Sequence, residues 1–215
     1  AKSKRDNAYV YSAPYSNFIS IKGSLHQNED DFMIKGSIPD PEFVFAYEMD
    51  YALTQAGIKT TFYPTTNRLL ILDTTYIKPS LNTIYKHYSP SLTSIINWTN
   101  QRSVNLFAEH LLCQISVKKN GYGSTYNGAM ISQAYWKTKF DASGLFMTDG
   151  SGLSRSNAVS SSFFIELLSY MKTSQLLKNS LAIAGKKGTM ASIGRNSAAS
   201  GRVIGKSGTM TRMKA

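Results

Sequence analysis

Short apolar runs give way along this chain to long apolar stripes, dividing it into a β-like beginning and a largely helical remainder. Tyr9-Val10-Tyr11, Phe18-Ile19-Ser20-Ile21 and Phe32-Met33-Ile34 are aromatic or β-branched, and Gly23 and the cluster Asn28-Glu29-Asp30-Asp31 separate them. Runs of that kind between turn residues predict strands. The period then lengthens. Asp40 suits an N-cap, Pro41 the first helical position and Gly57 the C-terminal stop. Phe45, Met49, Ala52, Leu53 and Ala56 fall on one face of that helix.

Residues 60–78 read as extended, with Leu69-Leu70-Ile71-Leu72 as a buried strand. Tyr88-Ser89-Pro90-Ser91 opens a second helix running to about Asn97, and Thr99-Asn100-Gln101-Arg102 reads as a break. Val104, Ala108, Leu111, Leu112 and Ile115 form a stripe that begins a third helix, which puts Ser103 and Asn105 at its N-terminus. Backbone N–H groups are free there, and a polar side chain can face outward. Asn120-Gly121-Tyr122-Gly123 is a loop, Ile131–Trp136 is helical, and Asp149–Arg155 is a compact turn. Ser160–Ser162 caps another helix, with Phe164, Leu167, Leu168 and Met171 on its buried face. In the glycine-punctuated tail, Val203–Met210 reads as a strand.

Composition narrows the possibilities. The 215 residues suffice for one well-buried domain and part of a second. No apolar run reaches the length of a membrane span, and Ala1-Lys2-Ser3-Lys4-Arg5 is too short and polar for a secretion signal. A mature secreted chain would also lack one. The single Cys113 excludes an internal disulfide and reads as a buried, inert thiol; with His26, His87 and His110 it makes no metal-ligand spacing. No metal and no cofactor is therefore expected. The formal charge is +11, and nine Lys/Arg but no carboxylate follow Glu166. A basic nucleic-acid module is one reading of that excess. The basic residues form no dense run, however, so a solvated surface or a cleft attracting a carboxylate fits better.

Several short motifs compete to carry chemistry. Gly205-Lys206-Ser207 resembles the end of a phosphate loop, but residue 200 is Ser200 where that motif needs a glycine, and Gly208 follows where a helix should start. Asp149-Gly150-Ser151-Gly152 does not fit G-x-S-x-G and has no histidine partner, so it reads as a tight turn. Ser103-Val104-Asn105 and Lys206-Ser207-Gly208 match S-x-N and K-[TS]-G, two of the three elements of penicillin-recognising serine acyl-enzymes. The third, S-x-x-K, carries the nucleophile and belongs at a helix N-terminus. Its two literal matches, Ser116-Val117-Lys118-Lys119 and Ser169-Tyr170-Met171-Lys172, both fall late in helices and read as chance.

The flanks make the combination specific. Ser89-Pro90-Ser91-Leu92, Asn100–Glu109, Asp149–Asn157, Leu181–Gly185, Gly188-Thr189-Met190 and Gly201-Arg202-Val203, leading into Lys206-Ser207-Gly208-Thr209, together resemble the D-alanyl-D-alanine carboxypeptidase/endopeptidase family typified by penicillin-binding protein 4, serine peptidase family S13. Ile38-Pro39-Asp40-Pro41 resembles that family's return into its catalytic domain after an inserted domain. The resemblance implies an α/β (α+β) fold of the serine β-lactamase/transpeptidase type, an antiparallel sheet flanked by helices, incomplete here. It also implies a division into residues 1–38, the end of an inserted β-rich domain, and 39–215, part of the catalytic domain.

The implied activity is serine-type D-Ala-D-Ala carboxypeptidase/endopeptidase action on peptidoglycan stem peptides through an acyl-enzyme, with β-lactams as inhibitors and a periplasmic or cell-envelope location. Ser103, Asn105 and Lys206 would be catalytic, and Ser207, Gly208 and Thr209 would bind substrate; the nucleophile would lie upstream, outside these residues. Ser207 stands where the family has threonine, which keeps the hydroxyl and drops a methyl. The chain taken alone is expected to be inactive. A non-catalytic cell-wall-binding homologue of the same fold stays open as an alternative.

Overall fold

A computed structural model describes residues 8–24, 33–77, 80, 82–210 and 213–214. It separates into two units, residues 1–84 and 85–215.

In the first unit, β1 (Tyr9–Ser12) and β2 (Ile19–Lys22) pair antiparallel, with Tyr9 opposite Lys22 and Ser12 opposite Ile19. Met33 and Ile34 join no strand; Phe32 and the Asn28–Asp31 cluster lie outside the described residues. Helix α1 (Pro41–Gln55) starts and stops as its signals predict. The Asp40 Oδ1 atom accepts from the Phe43 N–H at 3.2 Å, and Gly57 follows the helix at φ +78°. No residue of α1 is buried, because apolar side chains such as Phe43, Val44, Phe45, Tyr47 and Met49 surround it on several sides rather than forming one covered stripe. Leu69–Leu72 is not a strand. It lies in a short helix, α2 (Asn67–Leu72), whose N-cap Thr66 accepts from the Leu69 N–H at 3.3 Å. Ile71 and Leu72 are 69% and 73% exposed, so the apolar run has no sheet to enter.

The second unit is mostly helical: α3 (Leu92–Arg102), α4 (Asn105–Asn120), α5 (Thr125–Lys137), α6 (Ser161–Tyr170) and α7 (Gln175–Ser180). Small antiparallel pairs join them. β3 (Leu145–Phe146) pairs with β4 (Ala158–Val159), β5 (Ala182–Ile183) with β6 (Ile204–Gly205), and β7 (Thr209–Met210) with β8 (Met213–Lys214). Ser91, Ser124, Ser160 and Ser174 each cap a helix through the side-chain oxygen. Three sequence expectations are corrected. Helix α3 runs through the presumed break, because Thr99 bonds back to the Ile95 carbonyl at 2.8 Å and the helix ends only at Ser103. On α6 the buried residue is Phe163, at 4% exposure, while Phe164 and Leu168 are 50% and 56% exposed. The tail strand is two short ones, broken at residues 206–208.

The interior of this unit is small. Helices α4 and α5 pack through Gly128: a Cβ built there would lie 2.2 Å from the Leu112 carbonyl oxygen, so only glycine permits the approach. Trp136, Phe140, Phe163 and Tyr170 cluster where α5 and α6 meet, with ring centroids 5.5–6.1 Å apart. Burying a ring such as Phe163 contributes about 2–3 kcal/mol. No helix among the described residues is long and apolar enough to cross a membrane.

Candidate functional site

Ser103 is the hinge between α3 and α4. It adopts the left-handed conformation, φ 55° and ψ 50°, which is uncommon for a residue with a Cβ and ends α3 abruptly. Val104 then starts α4 without a side-chain cap, and Asn105 is the first helical residue. Both Ser103 and Asn105 are exposed, and the Asn105 amide makes no hydrogen bond among the described residues.

The second motif arrives on a different element and meets the first. Ile204 and Gly205 of β6 pair with Ile183 and Ala182 of β5, which aims the following Lys206 at the α3–α4 junction. The Lys206 ammonium donates to Ser103 Oγ at 2.8 Å and also to the Ser207 carbonyl. Since an ammonium has no lone pair, the Ser103 hydroxyl proton is left for an acceptor other than Lys206. Partial burial disfavours the charged amine, so the Lys206 pKa lies below the ordinary lysine value of 10.5. Ser207 Oγ donates to Thr189 Oγ1 at 2.8 Å. Gly208 and Thr209 are exposed, and Thr209 opens β7.

Two amides that sequence reasoning passed over hold these arms together. Asn100 Nδ2 donates to the buried Ser180 Oγ at 2.8 Å, and Gln101 Nε2 donates to the Leu181 carbonyl at 2.8 Å. Leu181 leads directly into β5, the partner of the strand that delivers Lys206. Gln101 also lies against the 3₁₀ turn Gly188–Met190, which carries Thr189. Gly188 stands at φ +68°, and a Cβ there would lie 2.9 Å from both Gln101 O and Gln101 Oε1.

The Asp149–Asn157 segment proves to be a hydrogen-bonded knot fixed to α4. The Asp149 carboxylate accepts from the Gly152 N–H at 2.7 Å, the Ser154 N–H at 2.6 Å and Asn157 Nδ2 at 2.8 Å. Burial raises its pKa, but the donors from Asn157, Ser154, Gly152 and Ser151 outweigh that effect and hold it below the usual aspartate value. Glu109 Oε1 accepts from the Gly150 and Ser151 N–H groups at 3.2 and 3.0 Å, docking the knot on α4. A Cβ on Gly150 would lie 2.5 Å from the Ala108 carbonyl oxygen.

The rival serines are placed elsewhere. Ser116 is fully buried and donates to the Tyr122 carbonyl at 2.8 Å. Ser169 lies late in α6 and is exposed, away from any helix N-terminus. Ser151 belongs to the knot, where its Oγ accepts from the Leu153 N–H. Cys113 is half-buried and contacts Thr125 Oγ1 at 3.6 Å. Among the described residues no group of three His, Cys, Asp or Glu could hold a metal ion.

The sequence model of the D-Ala-D-Ala carboxypeptidase 3 (S13) family matches residues 2–215. A D-alanyl-D-alanine carboxypeptidase from Actinomadura sp. (strain R39) is 33% identical over 138 residues, 60% of this chain and 26% of that protein. Among solved structures, penicillin binding protein 4 from Haemophilus influenzae in complex with a novel β-lactam matches with a TM-score of 0.74, at 21% identity over 94% of this chain and 46% of that one. Another structure of the same protein matches at a TM-score of 0.53 and 23% identity, covering 56% of this chain and 28% of that one. The chain thus spans about a quarter of the curated relative and under half of each of these two solved structures.

Proposed function

The chain belongs to the S13 family of D-Ala-D-Ala carboxypeptidases, its α+β fold is that of penicillin binding protein 4, and from this premise we propose that it contributes the S-x-N and K-[TS]-G arms of a serine-type active site that cleaves peptidoglycan stem peptides ending in D-Ala-D-Ala. The observation that supports this reading best is the 2.8 Å bond from Lys206 Nζ to Ser103 Oγ, which joins residues 103 positions apart.

The chemistry follows from the groups in reach. An upstream serine of an S-x-x-K segment, outside these residues, attacks the carbonyl carbon of the penultimate D-Ala. The peptide C–N bond breaks and D-Ala leaves, with an acyl-enzyme remaining for water to hydrolyse. The leaving amine needs a proton. The proton that the nucleophile loses passes to the lysine of its S-x-x-K segment and on to Ser103 as the Ser103 hydroxyl gives its own proton to the leaving amine, while Lys206 supplies positive charge beside the reacting centre. Asn105, with its amide unengaged, binds the substrate's peptide group. Ser207 bonds the terminal carboxylate, Gly208 leaves space for the substrate backbone, and the Thr209 N–H serves as one oxyanion donor, worth about 3–4 kcal/mol. A β-lactam acylates the same serine, and the enzyme works in the periplasm or cell envelope. Residues 1–38 are the end of a domain inserted into the catalytic one.

The test is acylation of the full-length gene product by a fluorescent penicillin. Wild type should label; Lys206→Ala and Ser103→Ala should lower the labelling rate about 100-fold or more. Labelling of both variants at the wild-type rate removes these roles, and a gene that encodes no S-x-x-K upstream favours the non-catalytic, cell-wall-binding reading instead.

A further inference from the structure

Ser207 occupies the position where the motif ordinarily carries threonine, and the difference is conformational. A threonine side chain is stiff about χ1 because two heavy atoms branch from its Cβ, whereas serine has three staggered wells with little to choose between them. An unrestrained Ser207 would present its hydroxyl to a ligand only part of the time. It is restrained, however, because its Oγ donates to Thr189 Oγ1 at 2.8 Å. Thr189 is fixed in turn. It lies on the 3₁₀ turn Gly188–Met190, whose first residue is pressed against Gln101 and Ala182. Both hydroxyls are half-buried, so water competes for their bond only in part.

We infer that Thr189 is a specificity-determining positioning residue, whose hydroxyl holds Ser207 toward the substrate's terminal carboxylate and replaces, by a hydrogen bond, the restraint that a threonine γ-methyl supplies by sterics. The inference rests on the carboxypeptidase reading above. Each hydroxyl is both donor and acceptor. When a carboxylate arrives, Ser207 turns its proton to the anion and Thr189 donates to Ser207 in its place. The hydroxyl pair then forms a chain ending on the negative charge, and each bond in it polarises the next. No covalent bond changes.

The experiment uses the full-length enzyme with two peptides, one ending in D-Ala-D-Ala and the other its C-terminal amide. Thr189→Val is expected to raise KM for the acid about five-fold, the worth of one hydrogen bond, with kcat within about two-fold and the amide peptide unaffected. Thr189→Ser keeps the hydroxyl and should behave as wild type. Ser207→Thr in the Thr189→Val background should bring KM back to within about two-fold of wild type, because the γ-methyl now restrains the hydroxyl. Four results overturn the inference: an unchanged KM in Thr189→Val, an equal effect on both peptides, a defect in Thr189→Ser as large as in Thr189→Val, or no rescue by Ser207→Thr. Wild-type enzyme that takes up no fluorescent penicillin sinks the carboxypeptidase reading and this inference together, whereas labelled wild type with any of the four sinks the inference alone.

Discussion

Replacing Gly188 by alanine tests whether the amide brace sets the geometry of the site. The new Cβ would lie 2.9 Å from Ala182 Cβ, Gln101 O and Gln101 Oε1. Carbon atoms in ordinary contact sit roughly 3.5–4.0 Å apart, so turn and helix end must separate by about 0.6–1.1 Å. Alanine at φ +68° also carries a left-handed backbone penalty of about 1–2 kcal/mol. If α3 yields, the 2.8 Å bond from Gln101 to the Leu181 carbonyl is lost, and leaving that acceptor unpaired costs about 1–3 kcal/mol more. The sum, about 2–5 kcal/mol, is a large part of the ~5–15 kcal/mol that holds a typical domain folded. The same displacement stretches the 2.8 Å Ser103–Lys206 bond beyond hydrogen-bonding range. A reacting group misplaced by ~1 Å costs about 100-fold in rate.

Thermal unfolding and the rate of acylation by a fluorescent penicillin, both on the full-length protein, read the two effects separately. Gly121→Ala is the control. Gly121 also has a positive φ, +81°, but nothing lies within 4 Å of a Cβ there, so it bears the backbone penalty and should leave acylation alone. A Gly188→Ala protein that melts early yet acylates at the wild-type rate would refute the brace as a determinant of site geometry.

Two further outcomes follow from the titrating groups. Because Lys206 titrates below 10.5, acylation should fall on its alkaline side at a pH below the free-lysine range; Lys206→Arg should move that limb upward or abolish it, as a stopped-flow pH profile would show. Asp149 has a depressed carboxylate pKa in the folded state, so its contribution to stability is present above the unfolded value and lost as pH falls through the folded one. Urea midpoints should accordingly drop on acidification below about pH 4 in the wild type, and this part of the drop should be absent in Asp149→Asn.

The chain's patterns made helices with strong punctuation legible. Asp40, Ser91 and Ser160 each cap the helix that their position announced. Where punctuation was weak, the apolar pattern misled. Leu69–Leu72 is a four-residue run that periodicity alone cannot assign, and Thr66 capping makes it a helix. On α6 the buried position shifted by one, from Phe164 to Phe163, because the aromatic cluster with Phe140 and Trp136 decides which ring turns inward. The site was legible as motifs: Ser103 and Lys206 were named from spacing and flanks, and they do meet. Their supports were not legible. Asn100 and Gln101 bond to groups about 80 residues away, and nothing in their neighbours along the chain encodes that partnership.

That separation orders events in time. The bonds from Asn100, Gln101 and Lys206 each close a loop of roughly eighty to a hundred residues, whereas the α4–α5 pair joins neighbours. Loop closure grows costlier with length, so local helices gather first and the two motif-bearing arms lock last. The contact between Ser103 and Lys206 should therefore form as the closing step of folding, and pulse-labelled hydrogen exchange should show α4 and α5 protected before β5 and β6.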